Sequence, residues 1–425
     1  MVCRVGVIGA GTVGGGVIHT LLTNGAVIKD KSGVEVHLTH VADMNTAAFD
    51  AFDLDDVTIS GDARALINDP AVDVVCELIG GFEPARAFVL EALAAGKHVV
   101  TANKMLLAKA GPEFNEAARK HGVELRYEAA VAGTIPIIKA VRESLASNHI
   151  RHLYGILNGT CNYILTRMGE EQRGFGDVLR EAQAAGFAES PPDLDIEGHD
   201  TAHKCTILAS LCYSAPVNLD DIYIEGITKV SHLDVMYAAE MGYLIKLLAV
   251  VQRVDGELDA RVHPTLVPRD HLLGAVRNEF NAVYIDSDIA DATLYYGRGA
   301  GRLPTASAVV ADIIDIGRRE GCGAAVAPFQ YTHKIPLRDI GLLRGRYYLR
   351  ITTEDHPGVL GDICTHLGKH RVSIATIIQK EEAEDAPAHI VMMTHDTVES
   401  SVSAAIEEID RLEFVAEPTH LIRVL

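Results

Sequence analysis

The sequence predicts an α/β protein, with a doubly wound parallel sheet at its N-terminus, an α+β domain in the middle and a βαββαβ unit at its C-terminus. Three observations predict this. Strand-like and helix-like segments alternate up to about residue 134, the alternation loosens between 135 and 345, and a second regular pattern begins at 346. A chain of 425 residues exceeds what one core organises, which fits two or three domains.

The first strand is "RVGVI", residues 4–8, followed by "GAGTVGGGV" and a helix to about Leu22. Val34–Asp43 and Val72–Gly81 read as the next strands. "EPARAFVLEALAAGK" is a helix, "HVVTANK" a strand and "FNEAARKHG" a helix, with "VELRYEAAVAG" closing the series. In the middle domain "PIIKAVRESLA" and "DTAHKCTILASLCY" are helix-like, whereas "ELDARVHPTLVP" and "NAVYIDSD" have strand composition. From 346 to 425 the order is "YYLRITTED" strand, "GVLGDICTHLGKH" helix, "SIATIIQKE" and "PAHIVMMTHD" strands, "VSAAIEEIDRL" helix and "HLIRVL" strand. That order is ferredoxin-like. "EEAEDAP", 381–387, is an acidic loop between its strands.

Hydrophobic residues make up 48% and charged residues 23%, which is ordinary globular composition. A net charge of −20 without any Lys/Arg-rich stretch argues against nucleic acid and anionic membranes as partners. No apolar run reaches the length of a membrane span. The opening "MVCRVGVIGAG" enters a strand without a signal-peptide pattern. Seven scattered cysteines (Cys3, Cys76, Cys161, Cys205, Cys212, Cys322, Cys364) form no C-x-x-C pair. Reduced thiols and a cytoplasmic location are expected.

"GAGTVG" sets Gly9, Gly11 and Gly14 in G-x-G-x-x-G spacing. Alone the string fits a tight turn; between a strand and a helix it has the context a dinucleotide requires. Gly9 makes the turn, Gly11 lets a pyrophosphate approach, and Gly14 lets helix and strand pack, with Thr12 and Val13 between them. The N-terminal sheet is therefore read as Rossmann-type, binding NAD or NADP. Asp43 ends the second strand 29 positions after Gly14, the extra length being the hydrophilic "TNGAVIKDKSG". A carboxylate there accepts ribose hydroxyls and repels a 2′-phosphate, and "MNTAAFDAFDLDD" offers no Lys or Arg to neutralise one, which favours NAD. The alternative is that Asp43 only ends a strand.

"GFAESPPDLDIEGHDTAHK", 186–204, holds five carboxylates and one lysine. Asp200 and Lys204 lie one helical turn apart. On a surface such a pair is worth ~0.3–0.5 kcal/mol. The same stripe continues through Leu208 and Leu211, so it is expected to turn inward and bury the pair at the mouth of a pocket. A pocket built this way suits a substrate with a cationic amine. Of the loop acids Glu189, Asp193, Asp195 and Glu197, some are expected to be solvated.

Taken in order, these segments resemble homoserine dehydrogenases over essentially the whole chain. They are "GAGTVG", "ELIGG" at 77–81, "TANK" at 101–104, "EAAVAGTIP" at 128–136, "NGTCNYIL" at 158–165, the 186–204 stretch and "GRGAGRLPTASAVVADI" at 297–313. The C-terminal unit, with "DHPGVL" at 355–360, resembles an ACT regulatory domain. The layout resembles the longer, ACT-bearing form of the family.

The resemblance implies reversible NAD(P)-dependent hydride transfer between L-homoserine and L-aspartate 4-semialdehyde, in threonine, methionine and isoleucine biosynthesis. It implies a dinucleotide-binding domain at 1–134, joined again by about 297–325, a substrate-binding and dimerisation domain at 135–345, and the ACT domain at 346–425. Lys204 matches the proton donor in reduction and Lys104 a second lysine near the cofactor and the reacting oxygen; the choice between them stays open. Glu189 and Asp200 match carboxylates facing the substrate ammonium, and Asp195 a further acid of the site. Lys104, Gly186, Glu189 and Gly301 join the cofactor-binding set. Carbonyls of Glu128, Val131, Gly133 and Ile135 match a monovalent cation site, for sodium; the alternative is a close-packed turn. Asp355, His356 and Gly358 match the turn where ACT domains take an amino acid effector, here threonine; the alternative is a dimerisation module without a ligand. A homodimer or homotetramer is expected.

One residue departs from the pattern. The family reads Glu-Pro-Asp-Pro where this chain has Glu189-Ser190-Pro191-Pro192, so Pro191 replaces an acid. That departure keeps a second class of function open, an amino acid sensor without turnover, beside another amino acid dehydrogenase of the same fold. No kinase-like unit precedes the sheet, so a bifunctional enzyme is not expected.

Overall fold

The computed structural model describes residues 2–321, 329–380 and 387–425, so Cys322 and the acidic segment 381–386 lie outside the described residues. The chain forms two compact units. One is Met1–Leu157 with Ala202–Ile222 and Phe280–Ile335; the other is Asn158–Thr201 with Tyr223–Glu279 and Pro336–Leu425. Neither expected cut, at 134/135 or 345/346, falls where these units divide.

In the first unit, β1 (Val2–Ile8), β2 (Glu35–Ala42), β3 (Thr58–Ser60), β4 (Val74–Glu77), β5 (His98–Thr101) and β6 (Leu125–Arg126) pair in the order β3-β2-β1-β4-β5-β6. Every pair is parallel. Val5, Val7, Val74, Val75, Val99 and Val100 are buried, as β-branched runs are when helices cover both faces of a sheet. The order reverses between β1 and β4, so the loops leaving these two strands open on the same edge. β6 is only Leu125–Arg126 because the chain turns at Glu128–Ala130, with Ala132 (φ 56) and Gly133 (φ 55) left-handed.

The first helix, α1, runs Thr12–Ser32 instead of stopping near Leu22, and Gly33 (φ 75) ends it. The segment expected as a hydrophilic insertion is helix. Burial of Ile28 and two lysines in the last turn offset the poor propensity of Asn24-Gly25. Helix Arg302–Gly321 packs along α1, where a Cβ on Gly16 would lie 2.5 Å from the Arg302 carbonyl. Val17, Ile18, Val309 and Ile313 share the resulting core. Strands Ile150–Ile156, Phe280–Ser287 and Asp291–Arg298 form an antiparallel ladder in the same unit.

In the second unit, strands follow the order Tyr243–Val254, Glu257–Pro268, Val415–Val424, Tyr347–Thr353, Ala388–Thr394, Ile374–Gln379. The first two form a hairpin through Asp255 (φ 52) and Gly256 (φ 87), the backbone of a type I′ turn. The C-terminal unit has its own core of Tyr347, Leu349, Ile351, Ile363, Leu367, Met392, Val402 and Ile409. Its last strand also pairs with the hairpin, Thr265 against Arg423 and Leu266 against Val424. That pairing is why no compact boundary falls at 345/346.

No disulfide joins the described cysteines. Among the described residues no helix is long and apolar enough to cross a membrane.

Candidate active site

Four places carry the expected site residues: the glycine loop and lysines of the first unit, the turn at 128–135, the carboxylates of the second unit and the turn at 355–358.

The glycine loop has the geometry a pyrophosphate needs. Gly9 adopts φ 100, and a Cβ on Gly14 would lie 1.8 Å from the Gly9 carbonyl, so strand and helix meet there only because Gly14 has no side chain. A Cβ on Gly11 would meet nothing. Gly11 caps α1 without a side-chain hydrogen bond, and no acid occupies the first turn. The exposed Gly11–Thr12 end, with Val13 half-buried, therefore offers helix N–H groups to an anion. Asp43 ends β2 as expected, but its carboxylate also holds this loop. Oδ2 accepts from Ala10 N–H at 2.7 Å and Oδ1 from Asn45 N–H at 2.8 Å. Gly301 (φ 131) opens the returning helix.

Lys104 is the first residue of helix Lys104–His121. A network that sequence reasoning missed fixes that helix end. The wholly buried Glu77 accepts from Thr101 Oγ1 at 2.7 Å and from Ile79 N–H at 3.0 Å. Thr101 Oγ1 in turn accepts from Asn103 N–H at 3.0 Å, and Asn103 caps the helix while donating to the Gly81 carbonyl. Burial pushes the Glu77 carboxyl up, against the hydrogen bonds it receives. "ELIGG" and "TANK" are thus tied together.

Lys204 is 8% exposed, and its Nζ donates to the Leu157 carbonyl at 2.7 Å. Asn281 Nδ2 donates to the same carbonyl at 2.9 Å, and a Cβ on Gly299 would lie 2.0 Å from the Asn281 side chain. Gly299 of the second glycine-rich loop is required by that contact.

In the turn at 128–135, Glu128 Oε1 and Oε2 accept from the Ile138 and Lys139 N–H groups, both at 2.8 Å, while Glu128 N–H donates to Asp312 at 2.7 Å. Burial pushes both carboxyls up to about 7. The Ile135 carbonyl accepts from Ile137 N–H at 2.8 Å. Glu128, Val131, Gly133 and Ile135 are all buried. Buried oxygens with two acidic groups beside them fit a hard cation. A Cβ on Gly133 would lie 2.6 Å from the Gly299 carbonyl, so close packing is present as well.

In the second unit, Asn158 organises the acids. Its Nδ2 donates to Asp195 at 2.7 Å and to Asp200 at 2.9 Å, and its Oδ1 caps helix Gly159–Glu171 through Cys161 N–H at 2.8 Å. Thr160 Oγ1 adds a contact to Asp195 at 3.2 Å. Asp200, on helix His199–Tyr213, is 3% exposed. Asp195 is half-buried, whereas Glu189, Gly186 (φ 76), Pro191 and Asp193 are exposed. Asn158 brings Asp195 and Asp200 together, and the Glu189 side chain is exposed. Asn158 was visible in the sequence only as a helix cap before Gly159.

The turn after strand Tyr347–Thr353 exposes Asp355 and His356, and Gly358 (φ 103) caps helix Val359–Lys369 without a side-chain bond. His356 lies edge-on to Phe414, with ring centroids 5.7 Å apart.

An uncapped glycine loop on a parallel sheet of order 3-2-1-4-5-6 defines a dinucleotide-binding protein of the Rossmann class. Comparison with known proteins narrows the class. Residues 9–128 match the family profile "Homoserine dehydrogenase, NAD binding domain", 136–314 match "Homoserine dehydrogenase", and 347–414 match "ACT domain". The chain is 44% identical to homoserine dehydrogenase of Neisseria gonorrhoeae, over 99% of this chain and 98% of that one. It is 43% identical to the Pseudomonas aeruginosa enzyme with the same coverage. The crystal structure of a homoserine dehydrogenase from Thiobacillus denitrificans superposes with a TM-score of 0.95 at 43% identity, over 100% of this chain and 98% of that one. The chain belongs to the homoserine dehydrogenase family. It is an oxidoreductase that interconverts L-homoserine and L-aspartate 4-semialdehyde with a nicotinamide cofactor, and it carries an ACT domain. The reading as a different amino acid dehydrogenase gives way to this assignment.

Proposed function

We propose that Lys204 is the proton-transfer group of this dehydrogenase, and that Asp195, Asp200 and Glu189 receive the ammonium of the amino acid. The observation that carries the reading is burial on one helix: Asp200 is 3% and Lys204 8% exposed, one turn apart. An exposed pair at that spacing gains little. A buried amine can instead hold a reacting oxygen and exchange a proton with it.

A bound nicotinamide dinucleotide supplies or accepts the hydride. In reduction, Lys204 Nζ gives a proton to the oxygen that becomes the hydroxyl; in oxidation it takes that proton back. The Leu157 carbonyl, 2.7 Å from Nζ, orients the ammonium, and Asn158 keeps the two acids aimed. Lys104 serves the same oxygen from the cofactor side. Gly9, Gly11, Thr12, Val13, Gly14, Gly186 and Gly301 line the dinucleotide. Two acceptor sites of Asp43 are taken by Ala10 and Asn45, and a carboxylate has about four, so a ribose hydroxyl can still bind and NAD is favoured over NADP.

The Glu128, Val131, Gly133 and Ile135 carbonyls hold a monovalent cation, sodium, which would steady this turn beside Lys139. Threonine binds around Asp355, His356 and Gly358 and inhibits. The cofactor part is 1–134 with 297–325, the substrate and dimerisation part 135–345, and the regulatory part 346–425. The enzyme works as a homodimer or homotetramer in the cytoplasm. The test is the initial rate of homoserine oxidation with NAD and with NADP, each with and without threonine. A higher kcat/KM with NAD and inhibition by threonine support the reading. Equal kcat/KM with the two cofactors, or a rate that threonine leaves unchanged, would contradict it.

A further inference from the structure

A cavity of about 370 Å³ opens over Lys246 in the second unit. Glu170 of helix Gly159–Glu171 and Val235 of helix His232–Glu240 line it, with Arg269 and Arg277 beyond strand Glu257–Pro268. Lys246 is 3% exposed. Its ammonium donates to Asn162 Oδ1 at 2.9 Å and to the Val276 carbonyl. Both acceptors are neutral, and no carboxylate among the described residues pairs with it. An ammonium has three N–H groups, and a buried charge without a counter-ion is costly. Burial, with Arg277 nearby, already pulls this amine down to about 8. Glu170, the one acid in the lining, is taken by Arg277 at 2.7 Å. Arg269 makes no ion pair among the described residues.

We propose that this cavity binds a small oxyanion, a carboxylate or a phosphate, between Lys246 and Arg269. The position gives such an anion leverage. Asn162, which Lys246 holds, lies one turn along the helix that Asn158 caps, and Asn158 holds Asp195 and Asp200. Val235 follows Asp234, whose carboxylate is held by Arg350 Nε at 2.7 Å, Tyr348 OH at 3.0 Å and His420 Nδ1 at 3.0 Å, all on ACT strands. The anion thus sits where the helix under the acids meets the helix pinned to the regulatory sheet. It is separate from the Asp355–Gly358 turn and does not depend on the role proposed for Lys204.

The test titrates the full-length protein with sodium phosphate and, separately, sodium acetate, at constant sodium and ionic strength balanced with chloride, and follows the thermal unfolding midpoint. A saturable rise is expected, and the anion that produces it identifies the class. Arg269→Gln, a change at an exposed residue, should weaken binding at least about tenfold, and Lys246→Met should abolish it. If Lys246→Met does not fold, Arg269→Gln decides alone. No saturable shift with either anion overturns the proposal. So does a shift that Arg269→Gln leaves unchanged, which would belong to another anion site such as the dinucleotide loop.

Discussion

Replacing Asp234 by Asn should destabilise the second unit by about 3–5 kcal/mol, because it breaks a buried ion pair from one side. Asp234 is wholly buried and accepts from Arg350, Tyr348, His420 and the Ser231 N–H, the last at 2.9 Å. Asn keeps the shape but loses the charge, leaving Arg350, its side chain 10% exposed, as an uncompensated cation. With a urea m-value of ~2 kcal/mol/M, the midpoint should fall by roughly 2 M. Burial opposes ionisation of the Asp234 carboxyl, but His420 and Arg350 outweigh it and hold its pKa well below the ordinary 3.8. A depressed acid contributes stability that is fully present above its unfolded pKa and lost as pH falls toward the folded one. The gap between wild type and Asp234→Asn should therefore be flat from about pH 5 to pH 8 and close below about pH 4. Asp234→Leu with Arg350→Met should recover only part of the loss, since it removes the unpaired cation but leaves the Tyr348 and His420 donors without their acceptor. A midpoint shift under about 0.5 M, or a gap that widens on acidification, would refute the pairing argument.

Asp43→Ala should lower kcat/KM with NAD more than with NADP; steady-state kinetics with both cofactors checks this, and the reverse order would contradict the ribose contact. His356→Ala should relieve threonine inhibition at an unchanged uninhibited rate, read from a threonine titration. This is cleaner than deleting 346–425, because strand Val415–Val424 lies between two others of its sheet. Glu128 and Asp312, raised to about 7, make the folded state bind extra protons below that pH, so stability falls as pH rises toward it. On the proposed reading, sodium bound at the turn would favour the ionised forms. Exchanging it for a large organic cation should lower the unfolding midpoint more at about pH 8 than at about pH 6, and an equal effect would count against the site.

The parallel sheet was legible because its strands are short apolar runs alternating with helices, though the edge strand Thr58–Ser60 was too short to read. The inward turn of helix His199–Tyr213 could be read from Leu208 and Leu211. Strand Tyr243–Val254 was missed: its long apolar run fits a buried helix as well as a strand, and only Asp255-Gly256 marks the hairpin. Asn158 shows as a cap, but the acids it holds are 37 and 42 residues away, a distance only tertiary packing closes. The ties of Glu77 to Thr101 and of Asp234 to Arg350 and His420 are likewise long-range, and no local pattern signals them.

The most direct measurement is kcat for homoserine oxidation by Lys204→Met, with dinucleotide affinity measured on the same sample. If Lys204 moves the proton, kcat falls by roughly 10²–10⁴-fold while the dinucleotide Kd stays within about twofold. Turnover within about tenfold of wild type, or loss of dinucleotide binding in parallel, would contradict the account.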